Sequence, residues 1–109
     1  MGQAFLFVNR DNHQVSSSNR HIVVAINPSA SFGKNATAGD FTVTALEAAG
    51  YRVTALRAES FDLLKGMVNR ALALTPDALV VVGGDGMVSL AVNAVAQSSV
   101  PFAVVPAGS

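Results

Sequence analysis

Hydrophobic and polar positions along the chain alternate between short apolar runs and longer amphipathic stretches. His21 to Ile26 and Leu79 to Val82 are apolar, β-branched runs. Each predicts a strand buried on both faces of a parallel sheet. Val100 to Val105 predicts another buried strand, with Pro101 near its start, where a missing N–H does least harm. Tyr51 to Leu56 reads as a strand with one more exposed face, marked by Arg52 and Thr54. Between the strands the apolar period lengthens. Ser60 and Asp62 open a helix with Phe61, Leu64, Val68, Ala71 and Leu72 as its buried stripe; Lys65, Asn69 and Arg70 face water. Thr75-Pro76 stops it. Val88, Ala91, Val92 and Val95 recur at helical spacing and predict a helix over Val88 to Ala96. A further helix, weakly marked on its apolar face, runs through Leu46 to Ala49, with Asp40 as its cap and Gly50 as its end. Strands alternating with helices predict an α/β fold with a mainly parallel sheet in three layers.

At 109 residues the chain has room for a single core. Half the residues are hydrophobic and 13% are charged, a composition suited to a sheet covered by helices. The formal net charge is zero, so nothing points to nucleic acid as a partner. The absence of cysteine excludes a disulfide framework and cysteine-based metal sites or catalysis. No apolar run approaches the roughly 20 residues that cross a bilayer. Ala4 to Val8 is too short for a signal-peptide core, and Leu6 stands where a myristoylation signal has serine or threonine. A cytoplasmic protein is expected. Residues 1–20 read as a flexible lead-in, within which Gln3 to Val8 could form a short edge strand. His13 and His21 have no second ligand at metal-binding spacing and read as solvated side chains.

Candidate chemistry gathers where the strands end. Gly83-Gly84-Asp85-Gly86 follows the Leu79 strand directly and precedes a helix. Glycines at such a point let backbone N–H groups approach a phosphate, and a helix N-terminus favours negative charge. Asp85 would repel phosphates unless a metal ion or a ribose hydroxyl lies between. The plainer reading is a tight turn, with Asp85 capping the helix. Asn27-Pro28-Ser29-Ala30-Ser31-Phe32-Gly33-Lys34 follows the first strand. It offers neutral hydrogen-bonding side chains and, in Lys34, the loop's only positive charge. Pro106-Ala107-Gly108-Ser109 follows the Val100 strand.

Three such loops in this order resemble the diacylglycerol kinase catalytic domain, from His21 to the end of the chain. GGDG at Gly83 to Gly86 is shared with sphingosine kinases, NAD kinases and phosphofructokinases. The Asn27-Pro28-Ser29 run leading to Gly33 is close to the NPxSG…G loop of the lipid kinases and tips the choice towards them. Pro106, Gly108 and Ser109 fit the first positions of their P-x-G-T-G-N-D loop, so the sequence looks cut within that loop. Departures are Ala30 for glycine, Met87 for the threonine of GGDGT, Leu90 for a glutamate, and Ala58 for a threonine that follows the second strand. Asn93 matches the family's asparagine.

The resemblance implies a Rossmann-like domain of the NAD kinase and diacylglycerol kinase type over residues 21–109. It implies the ATP-binding half of a lipid kinase acting in phospholipid metabolism. Site residues implied are Asn27, Pro28, Ser29, Ser31, Gly33, Lys34, Gly83, Gly84, Asp85, Gly86, Met87, Gly108 and Ser109, with Asp85 serving Mg²⁺. A lipid hydroxyl such as that of diacylglycerol would be phosphorylated through a following, largely β domain, at peripheral contact with a membrane. No catalytic base, Ser/His/Asp set or carboxylate pair is identifiable in these residues. Uncovered apolar surface on the last strand predicts a homo-oligomer. Two alternatives are an NAD kinase-like enzyme and a non-catalytic nucleotide-binding regulatory domain.

Overall fold

The structure, a computed structural model, describes residues 20–28 and 36–107. The proposed edge strand over Gln3 to Val8, and His13, lie outside the described residues. Seven elements follow in order: β1 (His21–Ile26), α1 (Ala36–Ala48), β2 (Arg52–Leu56), α2 (Phe61–Leu72), β3 (Ala78–Gly83), α3 (Asp85–Val95) and β4 (Phe102–Pro106). The four described strands form one parallel sheet in the order β2-β1-β3-β4. The expected α/β architecture is therefore the one observed.

Alternation along the strands divides the core in two. Ile22, Val24, Ile26, Val80 and Val82 face Leu46 of α1 and the buried ring of Tyr51. Val23, Ala25, Leu79 and Val81 face Leu64 and Val68 of α2 and Met87 and Leu90 of α3. β1 and β3 are buried along nearly their whole length because helices cover both faces, which is why their sequences are continuous apolar runs. α1 lies close against β1. A Cβ added at Gly39 would sit 2.8 Å from Ile26 Cδ1, so a larger residue there would force the Ile26 side chain or the helix to shift.

Local chemistry sets most boundaries. Ser60 caps α2, its Oγ accepting from the N–H of Leu63 at 3.2 Å. α1 ends at Gly50 in a left-handed conformation (φ 99°), with Tyr51 N–H donating to Leu46 C=O and Gly50 N–H to Glu47 C=O. That pair of bonds is a Schellman motif and satisfies two terminal carbonyls. At the opposite edge of the sheet His21 is tied down, its N–H donating to Asp77 Oδ2 at 2.7 Å and its Nε2 lying 2.7 Å from Thr54 Oγ1.

Four expectations are corrected. Asp40 does not cap α1: the helix begins four residues earlier, and Asp40 pairs from its second turn with Arg57 at the end of β2. α3 starts at Asp85 rather than Val88, and its buried residues are Met87, Leu90 and Ala91, whereas Val92 is 47% exposed. Phe61 is partly exposed rather than in the α2 stripe, which consists of Leu64, Val68 and Leu72. β4 starts at Phe102 and none of its residues is fully buried. Among the described residues it is an edge strand, so one flank and part of both faces lack neighbours.

Candidate functional site

From β1 the chain moves outward to β2, then returns past β1 to β3 and continues to β4. Connections therefore leave the carboxyl ends of β1 and β3 in opposite directions. Such a switch point opens a crevice between two loops, where open α/β sheets bind ligands. The two loops here are those that begin at Asn27 and at Gly83.

They are joined by backbone. Asn27 N–H donates to Val82 C=O at 3.0 Å, extending the β1–β3 ladder by one bond. Ala107 N–H reaches Gly83 C=O at 3.3 Å, bringing the segment after β4 to the same edge. Gly83 has φ 153°, in the region that disfavours side chains. A Cβ there would lie 2.5 Å from Met87 Cγ, 3.0 Å from Asn27 Cβ and 3.1 Å from Asn27 Nδ2. The glycine is required twice, by conformation and by space. Gly84 differs: nothing lies within 4 Å of a Cβ built on it, so it faces open space.

The α3 N-terminus decides between the two readings of Asp85. Gly84 is the N-cap residue, with no side-chain cap bond, and Asp85 is the first helical residue. The cap reading of Asp85 is thus overturned. Its carboxylate is exposed and forms no ion pair among the described residues. The carbonyl of Gly84 takes the N–H groups of Met87 and Val88 at 3.0 and 3.1 Å. Helix geometry leaves the N–H groups of Gly84, Asp85 and Gly86 without intrahelical acceptors, at the positive end of the helix dipole.

Of the sequence-predicted site residues, the structure brings together Asn27, Pro28, Gly83, Gly84, Asp85 and Gly86. Pro28 is buried. Met87 belongs only by its backbone, because its side chain is fully buried in the core beneath α3. Leu90 is likewise a core residue and Ala58 packs against the same cluster. Ser29, Ser31, Gly33, Lys34, Gly108 and Ser109 lie outside the described residues. No group of three or more His, Asp or Glu side chains that could hold a metal occurs among the described residues, and no helix there is long and apolar enough to cross a membrane.

Sequence reading missed Phe61. Its ring lies beside Gly86, with Cζ 3.5 Å from where a Cβ would stand. It borders a groove of about 170 Å³ between α2 and α3 that Lys65, Asn69, Ser89 and Asn93 also line. The helical stripe made Phe61 look buried; its place as the first residue of α2, over a glycine, is what exposes it.

An open, all-parallel α/β domain with a glycine turn and an exposed carboxylate at its switch point is the class that fold and site define. The model of the diacylglycerol kinase catalytic domain matches residues 21–109, and the chain belongs to that family. A similar solved structure is described as that of "a putative diacylglycerol kinase from Bacillus anthracis str. Sterne", with a TM-score of 0.63 and 26% sequence identity. The match covers 83% of this chain and 32% of that one, so the chain spans about a third of its length. No curated protein matches the sequence.

Proposed function

We propose that this chain is the nucleotide-binding part of a lipid kinase that transfers the ATP γ-phosphate to a lipid hydroxyl. The observation that carries the reading is the position of Asp85. It puts an exposed carboxylate in the first turn of α3, beside N–H groups that have no intrahelical acceptor. Backbone donors of Gly84, Asp85 and Gly86 suit phosphate oxygens. One carboxylate suits Mg²⁺, which keeps several waters and takes its remaining ligands from substrate phosphates. Bound there, the ion would neutralise phosphate charge. The residues present therefore fit the group, with Asp85 as its holder. Phe61 lines the neighbouring groove, and an aromatic ring there suits a nucleotide base.

In the transfer, the lipid hydroxyl oxygen bonds to the γ-phosphorus while the bond to the β,γ-bridging oxygen breaks and ADP leaves. The hydroxyl proton passes to a base, a role assigned to none of the described residues. What the chain contributes is positioning and charge stabilisation, which dominate phosphoryl transfer. We place the lipid site in a following domain, with peripheral membrane contact and a cytoplasmic location, and name diacylglycerol as the first acceptor to try. A non-catalytic nucleotide-binding role is the second reading. It is favoured by Met87 and Leu90, which turn into the core and present no polar group to the crevice. ATP binding measured by calorimetry with and without Mg²⁺, alongside labelled-phosphate transfer to lipid, separates them. Mg²⁺-dependent binding with transfer supports the kinase, binding without transfer the regulatory role, and no binding defeats both.

A further inference from the structure

We infer that Met87 is a positioning residue: its buried side chain fills the space beside Gly83 and so sets the placement of the Asn27 carboxamide at the crevice. Three atoms of two side chains converge on the point where a Cβ on Gly83 would stand. Met87 Cγ lies 2.5 Å from it, Asn27 Cβ 3.0 Å and Asn27 Nδ2 3.1 Å. The core side chain of Met87 and the loop side chain of Asn27 thus pack into the same space beside Gly83, the space a Cβ would fill. The Gly83 carbonyl is occupied by Ala107 N–H, and the Val82 carbonyl just before it by Asn27 N–H. Any sinking of Gly83 would pull on both neighbouring loops.

Met87 is suited to this task. It is 0% exposed and packs in the cluster that includes Leu64, Val81 and Leu90. An unbranched thioether fills an irregular gap that a β-branched side chain would not. In this chain the Met87 side chain is a packing wedge between core and loop. Its effect on ligand binding rests on the proposed reading of the Asn27 loop; its effect on Asn27 does not.

The test compares Met87→Ala and Met87→Leu with Leu72→Ala, a buried core change at the far end of α2. Met87→Val replaces the alanine variant if that one does not fold. Two quantities are read below each variant's melting temperature: the Asn27 side-chain amide resonances by NMR, and the ATP dissociation constant in Mg²⁺. Met87→Ala should shift or broaden the Asn27 amide signals and weaken ATP at least tenfold. Met87→Leu should restore both to within about twofold of the parent. Leu72→Ala should melt earlier yet leave both unchanged. Asn27 signals that stay in place in Met87→Ala, or move equally in Leu72→Ala, would overturn the inference. If the parent binds no ATP, the functional reading fails, and the Asn27 signals alone decide this one.

Discussion

Asn27 and Val82 share a backbone hydrogen bond of 3.0 Å that locks the first residue of one loop to the last buried residue before the other. The crevice is therefore built on the rigid centre of the sheet rather than on its edges. Both loops inherit their spacing from the β1–β3 ladder, in which Ile26 pairs with Val82. Site and fold are coupled, and several outcomes follow from that coupling.

The glycine turn should divide into a structural and a functional glycine. Gly83→Ala forces a side chain into a positive-φ position already filled by Met87 and Asn27. It should cost roughly 3 kcal/mol in chemical denaturation, the combined scale of overpacking and backbone strain. Gly84→Ala meets open space and should cost under about 1 kcal/mol. The same alanine methyl, at the N-cap of α3 beside its first N–H groups, should nevertheless weaken ATP. Equal stability losses in the two variants would contradict the assignment.

Much of this fold was legible in the sequence because the two central strands are buried on both faces. Nothing but uninterrupted apolar residues suits such strands, so His21–Ile26 and the run around Leu79–Val82 declared themselves. Ser60 was equally plain, since its capping partner Leu63 is three residues away. The misreadings share a cause: they depended on partners distant in sequence. Asp40 resembled a cap because its true partner, Arg57, is 17 residues on. Val100 to Val105 looked buried because composition does not reveal that β4 has a neighbour on one side only among the described strands. In the site, the sequence already placed the Asn27 and Gly83 turns at the carboxyl ends of β1 and β3, where the structure has them. What the sequence could not reveal was that Gly84, not Asp85, caps α3. Nor could it reveal that Met87 turns inward under Gly83.

The Asp40–Arg57 pair gives a second check. Both side chains are more than a third exposed, so water screens the attraction. Asp40→Asn should lower stability by less than about 1 kcal/mol, and added salt should shrink the difference. A loss that persists undiminished in high salt would mean that Asp40 does more for α1 than pair with Arg57.

Capping of α2 is a third. Ser60→Ala removes the acceptor for Leu63 N–H and should cost about 1 kcal/mol, while Ser60→Asp should retain most of the stability. Thermal melts of the two variants suffice. A fully tolerated alanine would show that tertiary packing of Leu64 and Val68, rather than the cap, fixes where α2 begins.

The central claim is that Asp85 serves a Mg²⁺–nucleotide complex, and its position outside the cap makes the test clean. Asp85→Asn should leave the melting temperature nearly unchanged, because neither residue closes the helix end. The decisive measurement is the initial rate of phosphate transfer from labelled ATP to diacylglycerol in mixed micelles at saturating Mg²⁺. It is made with the full-length protein and its Asp85→Asn variant. The account predicts measurable transfer by the parent and a fall of at least about a hundredfold in the variant, roughly 2.7 kcal/mol of transition-state stabilisation. A variant that transfers phosphate at the parent's rate would contradict it.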